Sequence, residues 1–161
     1  MQRNLEHPIT PFVVAHKASA LAWAMMPQLR QRVVAFCRQY GNDADPGEVL
    51  RFVDVMFTAD DPQGLLIGVY DDYGAVKAHL LAVLCDWFGT RYVLVMQYEI
   101  DKGFALGRDW LKEMFSRVEE WARKAGAKDI RCVADSPALA RAYRTYYGME
   151  GGQRVWMRKA L

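Results

Sequence analysis

The sequence predicts one α/β (α+β) domain with a mixed, mainly antiparallel sheet flanked by helices, in the order βααβββαβαβ. Three strand-like segments follow one another over 64–101 with short turns between them, which is typical of an antiparallel meander. A strongly amphipathic segment over 108–125 comes next, and strand-like and helical patterns then alternate to the end of the chain. At 161 residues, of which 52% are hydrophobic and 25% charged, the chain is expected to form a single domain over 1–161.

The first part of the chain predicts a short strand and two helical segments. "FVVAH" (12–16) is a β-branched run suited to a first strand. Apolar residues recur at helical spacing over 18–40, where Pro27 predicts a kink or a division into two helices. Asp45 has the position of an N-cap, so it predicts the start of a further helix over 45–57.

The meander consists of "GLLIGVYD" (64–71), "AVKAHLLAVLCDWF" (75–88) and "RYVLVMQYEID" (91–101). Strict alternation in the third strand predicts two faces, one with Tyr92, Leu94, Met96, Tyr98 and Ile100, the other with Val93, Val95, Gln97 and Glu99. Because both sets are mostly apolar, this strand is predicted to lie inside the sheet and to be covered on both sides.

The last part of the chain predicts helix, strand, helix and strand. The stripe of apolar residues over 108–125 is the strongest periodic signal in the sequence. "DIRCVAD" (129–135) predicts a strand, and 136–147 predicts a helix capped by Ser136. "GGQRVWMRKAL" (151–161) predicts a final strand.

Composition and charge argue against several classes of function. A net charge of +2 lacks the excess of Lys and Arg expected of a dedicated nucleic-acid binder, so we expect no nucleic-acid partner. The three cysteines and three histidines show no metal-ligand spacing, so we expect no metal. No run approaches the roughly 18 uncharged apolar residues of a membrane span. We therefore expect no membrane partner and a cytoplasmic protein.

The stretch "DKGFALGRDWL" (101–111) joins a predicted strand to a predicted helix through a glycine-containing turn. Such a junction gathers backbone N–H groups and the positive end of the helix dipole around one point, which attracts phosphate. Gly103 and Gly107 allow close approach of the backbone, and Lys102 and Arg108 add positive charge. The same residues are also compatible with a tight connection that binds no ligand.

Within this stretch, "KGFALG" (102–107) resembles the acyl-CoA-binding signature of the GNAT N-acetyltransferase superfamily, usually written Arg/Gln-x-x-Gly-x-Gly/Ala. "ADSPALARAYRTYYGME" (134–150) resembles the second landmark of that family, a short helix with an Ala-Tyr or Leu-Tyr pair. The resemblance covers roughly 64–150 by element order and spacing. Three residues depart from the family pattern: Lys102 in place of Arg or Gln, Ala105 in place of the first glycine, and Arg131 where some relatives carry a catalytic carboxylate.

The resemblance implies a GNAT-like fold and acetyl-CoA as cosubstrate. It places the pyrophosphate in the loop 103–108 and the pantetheine arm against the end of the preceding strand. The residues implied to contact the cofactor are Val95, Met96, Gln97, Lys102, Gly103, Phe104, Ala105, Leu106, Gly107, Arg108 and Ser136. Tyr143 has the position of the family's general acid, which protonates the departing CoA thiolate; without the glycine loop, a half-buried core aromatic would be the simpler interpretation.

The implied activity is direct transfer of an acetyl group to a primary amine of a small molecule or a protein. Glu99 and His79 are candidates for the general base by residue type, although a solvated strand end and a core-edge histidine are the simpler interpretations. The alternative function is a catalytically inactive GNAT-like domain that acts as a binding or structural module. Pairing into a homodimer through an edge strand or C-terminal aromatic residues is a further expectation.

Overall fold

A computed structural model of the chain describes residues 10–14, 20–40, 44–58, 63–71, 73–104, 108–134 and 137–151, with only the backbone for 10–14, 20–25, 57–58 and 108–110. The elements are β1 (Thr10–Val14), α1 (Ala20–Tyr40), α2 (Pro46–Thr58), β2 (Gly64–Tyr70), β3 (Val76–Trp87), β4 (Thr90–Ile100), α3 (Arg108–Lys124), β5 (Asp129–Cys132) and α4 (Pro137–Tyr147). This is the predicted order up to α4. Apart from Gly151, the predicted last strand lies outside the described residues.

The five described strands form one sheet in the order β1-β2-β3-β4-β5. The first four strands are antiparallel neighbours, whereas β5 runs parallel to β4. The predicted mixed, mainly antiparallel sheet is confirmed. β5 is shorter than predicted, since it ends at Cys132 although the next two residues are described.

Helices cover both faces of the sheet, and each face has its own apolar core. The core between α3 and the sheet contains Met114, Phe115, Val118 and Ala122 from the helix and Ala78, Leu80, Ala82, Val93 and Val95 from the strands. The core on the other face contains Leu29 and Val33 from α1, Val53 and Met56 from α2, and Leu66, Val76 and Leu81 from the strands. Burial of these amphipathic faces is the main force that holds the layers together. No helix in the described part of the chain is long and apolar enough to cross a membrane.

α1 is one helix with Pro27 inside it, so of the two outcomes predicted there, a kink or a division, the division does not occur. A proline in a helix interior removes one backbone hydrogen bond. Contacts directly after Pro27 compensate for this loss: Gln28 Nε2 donates to the carbonyl of Gly74 at 2.8 Å, and its Oε1 accepts from the N–H of Val76 at 2.9 Å. These bonds hold α1 against the loop between β2 and β3.

α2 begins as predicted from its capping residue. Asp45 Oδ1 accepts a hydrogen bond from the N–H of Glu48 at 2.9 Å, and the Asp45 carbonyl accepts one from Val49 at 3.1 Å. An N-cap side chain of this kind satisfies one of the backbone donors that a helix start leaves unpaired. The Asp45 prediction is therefore confirmed.

A β-bulge interrupts the pairing of β3 with β4. Leu81 lies opposite Gln97, but the next residue, Ala82, lies opposite Val95. Met96 is therefore an extra residue in β4 without a partner on β3. A bulge of this kind bends the strand and shifts every residue beyond it to the other face.

Because of the bulge, the predicted alternation along β4 is wrong beyond Val95. Side chains on the α3 face are Val93 and Val95 before the bulge and Tyr98 and Ile100 after it. Gln97 and Glu99 contact α1 on the opposite face. The sequence pattern placed Val95 and Gln97 on one face, but the structure separates them.

The turn between β3 and β4 has an unusual residue at its tip. Trp87 pairs with Thr90, and the two residues between them, Phe88 and Gly89, have φ values of 46° and 77°. Two positive φ values in a two-residue turn are those of a type I′ hairpin, which prefers Asn-Gly. Phe88 is 92% exposed, so burial of its ring does not offset the cost of the left-handed backbone.

We expect Phe88→Asn to raise the free energy of unfolding by about 1 kcal/mol, because Asn adopts the left-handed backbone at lower cost than Phe. Urea denaturation of the purified variant measures the change. Phe88→Leu is the matched control, since it also removes the ring but keeps a side chain that disfavours positive φ. An equal gain in both variants would show that the backbone conformation is not the cause.

Candidate functional site

β4 and β5 pair only over the first part of β4. The parallel ladder ends with Val95 opposite Cys132, and β4 then continues to Ile100 whereas β5 stops. The bulge residue Met96 follows the last pair immediately. On the side of β5, residues 96–100 therefore have no strand partner among the described residues. We call this feature the β4–β5 gap: the last pair, Val95 and Cys132, and the segment 96–100 beyond it.

Three tyrosines lie together on the side of the sheet that faces α3 and α4. Tyr98 comes from β4, and Tyr143 and Tyr147 come from one face of α4, four residues apart. The hydroxyls of Tyr98 and Tyr147 are 3.0 Å apart, and the ring of Tyr147 stacks on Phe115 with centroids 3.6 Å apart. The ring of Tyr143 lies about 6 Å from those of Tyr98, Phe115 and Tyr147. We refer to Tyr98, Tyr143 and Tyr147 as the tyrosine cluster.

The tyrosine cluster is a largely desolvated set of phenols. Burial raises the pKa of Tyr98 and, more strongly, that of Tyr147 above the usual value. Tyr143 is 6% exposed. Tyr98 and Tyr147 are therefore protonated and uncharged at neutral pH, and a phenol among them is suited to donate a proton rather than to accept one.

Cys132 joins the tyrosine cluster to the β4–β5 gap. It is the last residue of β5, and it packs against the same core as Tyr143. Burial raises the pKa of the Cys132 thiol to about 12. The thiol is thus protonated at neutral pH and a poor nucleophile. No sequence motif marks Cys132, because its place beside the gap depends on the pairing of β5 with β4, which exists only in the fold.

The described part of the glycine motif is an exposed turn. The N–H of Phe104 donates to the carbonyl of Asp101 at 3.1 Å, and Gly103 has a φ of 79°. A positive φ at the third position is the requirement of a type II turn and explains the glycine. Lys102 and Gly103 are exposed, whereas Phe104 packs against the α3 core.

The rest of the predicted cofactor loop, Ala105, Leu106 and Gly107, lies outside the described residues, as do Ser136 and the side chain of Arg108. α3 begins at Arg108. The turn is therefore followed within a few residues by a helix N-terminus, as the motif requires.

The three predicted contacts on β4 differ in what they can present to a ligand. Val95 is buried, Met96 is 42% exposed, and Gln97 is only 3% exposed. The side chain of Gln97 points to α1, where it donates to the carbonyl of Val33 at 3.4 Å and to Cys37 Sγ at 3.3 Å. Gln97 can therefore contribute only its backbone to the gap.

A buried polar network continues from Gln97 on the α1 face. His79 Nε2 lies 3.0 Å from Gln97 Oε1, and His79 Nδ1 lies 3.3 Å from Arg32 Nε. Because a guanidinium can only donate, Nδ1 accepts and the proton of the neutral ring is on Nε2. Arg32 Nη1 also donates to Asp101 Oδ1 at 2.6 Å and to the carbonyl of Val76 at 3.2 Å.

The network distinguishes the two candidates for a general base. His79 is fully buried, both of its ring nitrogens are engaged, and burial together with the charge of Arg32 lowers its pKa to about 4. These contacts support the interpretation of His79 as a core histidine. Glu99 is 28% exposed, with Oε2 3.7 Å from Arg32 Nη2 and 3.8 Å from His79 Nδ1. Of the two candidates, Glu99 is the one with a side chain that is partly exposed to solvent.

Arg131, at the position where the sequence resemblance implied a carboxylate, has a structural arrangement of its own. Its guanidinium pairs with Asp129 at 2.9 Å and lies 3.8 Å above the ring of Tyr92. Stacking of this kind is a cation–π contact. The pairing with Asp129 raises the pKa of Arg131, so the residue remains a cation and cannot act as a base.

No protein-family model and no curated protein matches this sequence. Solved structures match along almost the whole chain. An aminoglycoside acetyltransferase, meta-AAC0020, from an uncultured soil metagenomic sample has a TM-score of 0.67 at 11% identity, with 95% of this chain and 96% of that chain covered. AAC(6')-Iy, solved with the bisubstrate analog CoA-S-monomethyl-acetylneamine, has a TM-score of 0.66 at 13% identity over 96% and 99%.

A predicted acetyltransferase from Clostridium acetobutylicum, solved with acetyl-CoA, has a TM-score of 0.67 at 14% identity over 95% of this chain and 96% of that chain. At such low sequence identities, structural similarity shows a shared fold. This chain has a GNAT-like fold, so the fold implied by the resemblance over 64–150 is confirmed. The similarity also extends to the N-terminal helices, which the sequence motifs did not cover.

We expect the free energy of unfolding to fall as the pH decreases from about 6.5 to about 4, because the unfolded chain binds a proton that native His79 excludes. The contribution of this one group over that window is about 3 kcal/mol. Urea denaturation at several pH values measures it. His79→Gln replaces the ring with a polar amide that cannot titrate, so the unfolding of this variant should depend less on pH. Equal pH dependence in both proteins would contradict the assignment.

Proposed function

We propose that this chain is an acetyl-CoA-dependent N-acetyltransferase that transfers the acetyl group directly to a primary amine. The β4–β5 gap is the observation that carries the proposal. A strand segment without a partner offers N–H and C=O groups to an extended ligand with amides of its own, as the pantetheine arm of CoA has. The Clostridium acetobutylicum protein with acetyl-CoA and AAC(6')-Iy with its CoA-linked analog share the fold, which supports this choice of ligand.

Different residues around the gap suit different parts of acetyl-CoA. We infer that the backbone of Val95, Met96 and Gln97 contacts the pantetheine arm. The turn at Lys102–Phe104, the segment 105–107 and the start of α3 at Arg108 form the pyrophosphate site, where the helix dipole and Lys102 supply positive charge. An added Cβ at Gly103 would meet no atom within 4 Å, so this exposed turn has room for an anion. We infer from the resemblance that Ser136, which precedes α4 in the sequence, also contacts the cofactor.

The transfer exchanges one covalent bond for another. The amine nitrogen forms a bond with the thioester carbonyl carbon, and the bond between that carbon and the CoA sulfur breaks. Backbone N–H groups at the bulge polarise the carbonyl oxygen. Tyr143 gives its proton to the departing thiolate and regains one from solvent, while the proton lost by the amine passes to Glu99 or to water. Burial raises the pKa of Cys132 and so disfavours its thiolate at neutral pH, which supports direct transfer over an acyl-cysteine intermediate.

The acceptor would approach from the α1 face of the gap. Glu99 lies on that face with a partly exposed carboxylate, which suits a protonated amine before transfer and its released proton afterwards. Several proteins with this fold are aminoglycoside acetyltransferases, so aminosugars are the first acceptor class to test. Polyamines and lysine-containing peptides follow, because the proposal requires only a primary amine.

We expect acetyl-CoA to raise the melting temperature by several degrees, since a ligand at 100 times its Kd stabilises the native state by about 2.7 kcal/mol. Differential scanning fluorimetry with and without millimolar acetyl-CoA measures the shift. Gly107→Trp fills the pyrophosphate loop and should abolish the shift in a protein that is still folded. No shift in the wild-type protein would favour the alternative, a GNAT-like module without catalysis.

We expect Tyr143→Phe to lower kcat by about 100-fold or more with the KM for acetyl-CoA nearly unchanged, because it removes the acid and keeps the ring. Release of CoA in the presence of an amine panel measures both constants. Tyr146→Phe is the matched control, since it removes a hydroxyl from the same helix outside the tyrosine cluster. Wild-type turnover in Tyr143→Phe would remove this residue from the mechanism.

A further inference from the structure

One buried donor of the polar network on the α1 face has no hydrogen-bond partner. Arg32 Nη2 is shielded from solvent and makes no hydrogen bond to any residue that the structure describes. Buried N–H groups in native proteins are almost always paired, so an unpaired guanidinium nitrogen calls for an explanation. Arg32 Nη2 lies 3.7 Å from Glu99 Oε2, which is close enough for an ion pair but too far for a hydrogen bond. The unpaired donor therefore faces a carboxylate that the proposed reaction uses.

The other nitrogens of the Arg32 guanidinium are held by hydrogen bonds. Nη1 donates to Asp101 Oδ1 at 2.6 Å and to the carbonyl of Val76 at 3.2 Å, and Nε donates to His79 Nδ1 at 3.3 Å. Only 16% of the Arg32 side chain is exposed. Because the guanidinium is a planar and rigid group, these bonds also fix the position of Nη2.

The carboxylate of Glu99 is held less firmly. It makes no hydrogen bond among the described residues, and its contacts there are the ion pair with Arg32 and a distance of 3.8 Å from Oε2 to His79 Nδ1. Because Nδ1 accepts a hydrogen bond from Arg32, it has no proton to donate to Glu99. Within the described part of the chain, the position of this carboxylate therefore depends on Arg32.

We propose that Arg32 is a positioning residue for Glu99, which holds the carboxylate on the α1 face of the β4–β5 gap for the amine of the acceptor. This inference rests on the proposed function, in which the proton lost by the amine passes to Glu99 or to water. A guanidinium repels an ammonium group, so Arg32 acts on the acceptor only through Glu99.

The geometry of the ion pair suits this task. A carboxylate has two oxygens, so Oε2 can face Arg32 while Oε1 is left for the ammonium group of the acceptor. A shift of roughly 1 Å would bring Oε2 from its distance of 3.7 Å into a charge-assisted hydrogen bond with Nη2. Such a bond to a fixed donor restricts the torsions of a flexible glutamate, and a small error in the position of a reacting group lowers the rate.

Two substitutions of Arg32 test the positioning role. Arg32→Met removes the charge and the donors, whereas Arg32→Lys keeps a cation. We expect Arg32→Met to raise the KM for the amine about tenfold with an unchanged KM for acetyl-CoA, and Arg32→Lys to raise the KM for the amine less. Steady-state kinetics with the fastest substrate among glucosamine, spermidine and a lysine-containing peptide measures both constants. An unchanged KM for the amine in both variants would overturn the proposal.

Gln28→Met is the matched control for structural damage to α1. Gln28 lies one turn before Arg32, and its side chain binds the loop between β2 and β3 through Gly74 and Val76. Loss of these bonds should lower stability but leave the KM for the amine unchanged. If Gln28→Met raises this KM as much as Arg32→Met does, a general disturbance of α1 is the cause and the positioning role is wrong.

A double substitution tests whether Arg32 acts through Glu99. In the Glu99→Gln background, Arg32→Met should raise the KM for the amine no further, because the carboxylate that Arg32 positions is gone. A further rise of similar size would show that Arg32 acts independently of Glu99, and this result would also overturn the proposal.

A measurement without turnover keeps the two proposals apart and does not require a folded Arg32 variant. ¹⁵N-edited NMR spectra report the guanidinium N–H groups of Arg32, assigned through its side-chain carbons. We expect Glu99→Gln, a change to a partly exposed side chain, to shift the Nη2 protons more than the Nε proton, whose partner is His79. Equal shifts, or none, overturn the positioning role even if the enzyme is active. A wild-type protein that acetylates no amine, but shows the expected NMR shifts, overturns the proposed function and with it the catalytic purpose of Arg32.

Discussion

The extra residue that Met96 adds to β4 is the constraint on which the arrangement of the site depends. Because of this bulge, Gln97 faces α1 and Tyr98 faces α3 and α4. Without it, the strand would place the Gln97 amide among the apolar side chains of the α3 core, where an unpaired polar group costs about 1–3 kcal/mol. Pairing with β5 ends at the residue before the bulge, so one backbone irregularity distributes the side chains between the two faces and also opens the β4–β5 gap.

The polar network on the α1 face stabilises this irregular strand. Gln97 follows the bulge and is bound to α1 through the Val33 carbonyl and to β3 through His79, and Arg32 continues the network to Asp101 at the end of β4. Buried polar groups stabilise a fold only when their hydrogen bonds are satisfied. His79 meets this condition as a neutral ring, which is why a residue that looks like a base in the sequence is a structural member of the core.

Most helices and strands could be predicted from the sequence, whereas the contacts between them could not. Periodicity located α3, and capping chemistry located the start of α2, because both signals are local. The continuity of α1 through Pro27 and the bulge at Met96 depend on contacts between residues more than 40 positions apart, such as the bond of Gln28 to Gly74. The resemblance selected Tyr143, which lies buried next to Tyr98 of β4. Cys132 has no sequence signal, since the parallel pairing that places it beside the gap is a property of the sheet.

The two faces of the β4–β5 gap differ in chemistry, and this difference bears on the order of events. The α3 and α4 face presents protonated phenols and a protonated thiol, which suit a departing thiolate. The α1 face presents the carboxylates of Glu99 and Asp101, which suit an ammonium group. Because burial raises the pKa of the Cys132 thiol and disfavours an acyl-cysteine intermediate, the proposed transfer has the thioester and the amine present together. In the proposed reaction, both substrates would meet at the bulge from opposite sides of the sheet, and both would contact the backbone there.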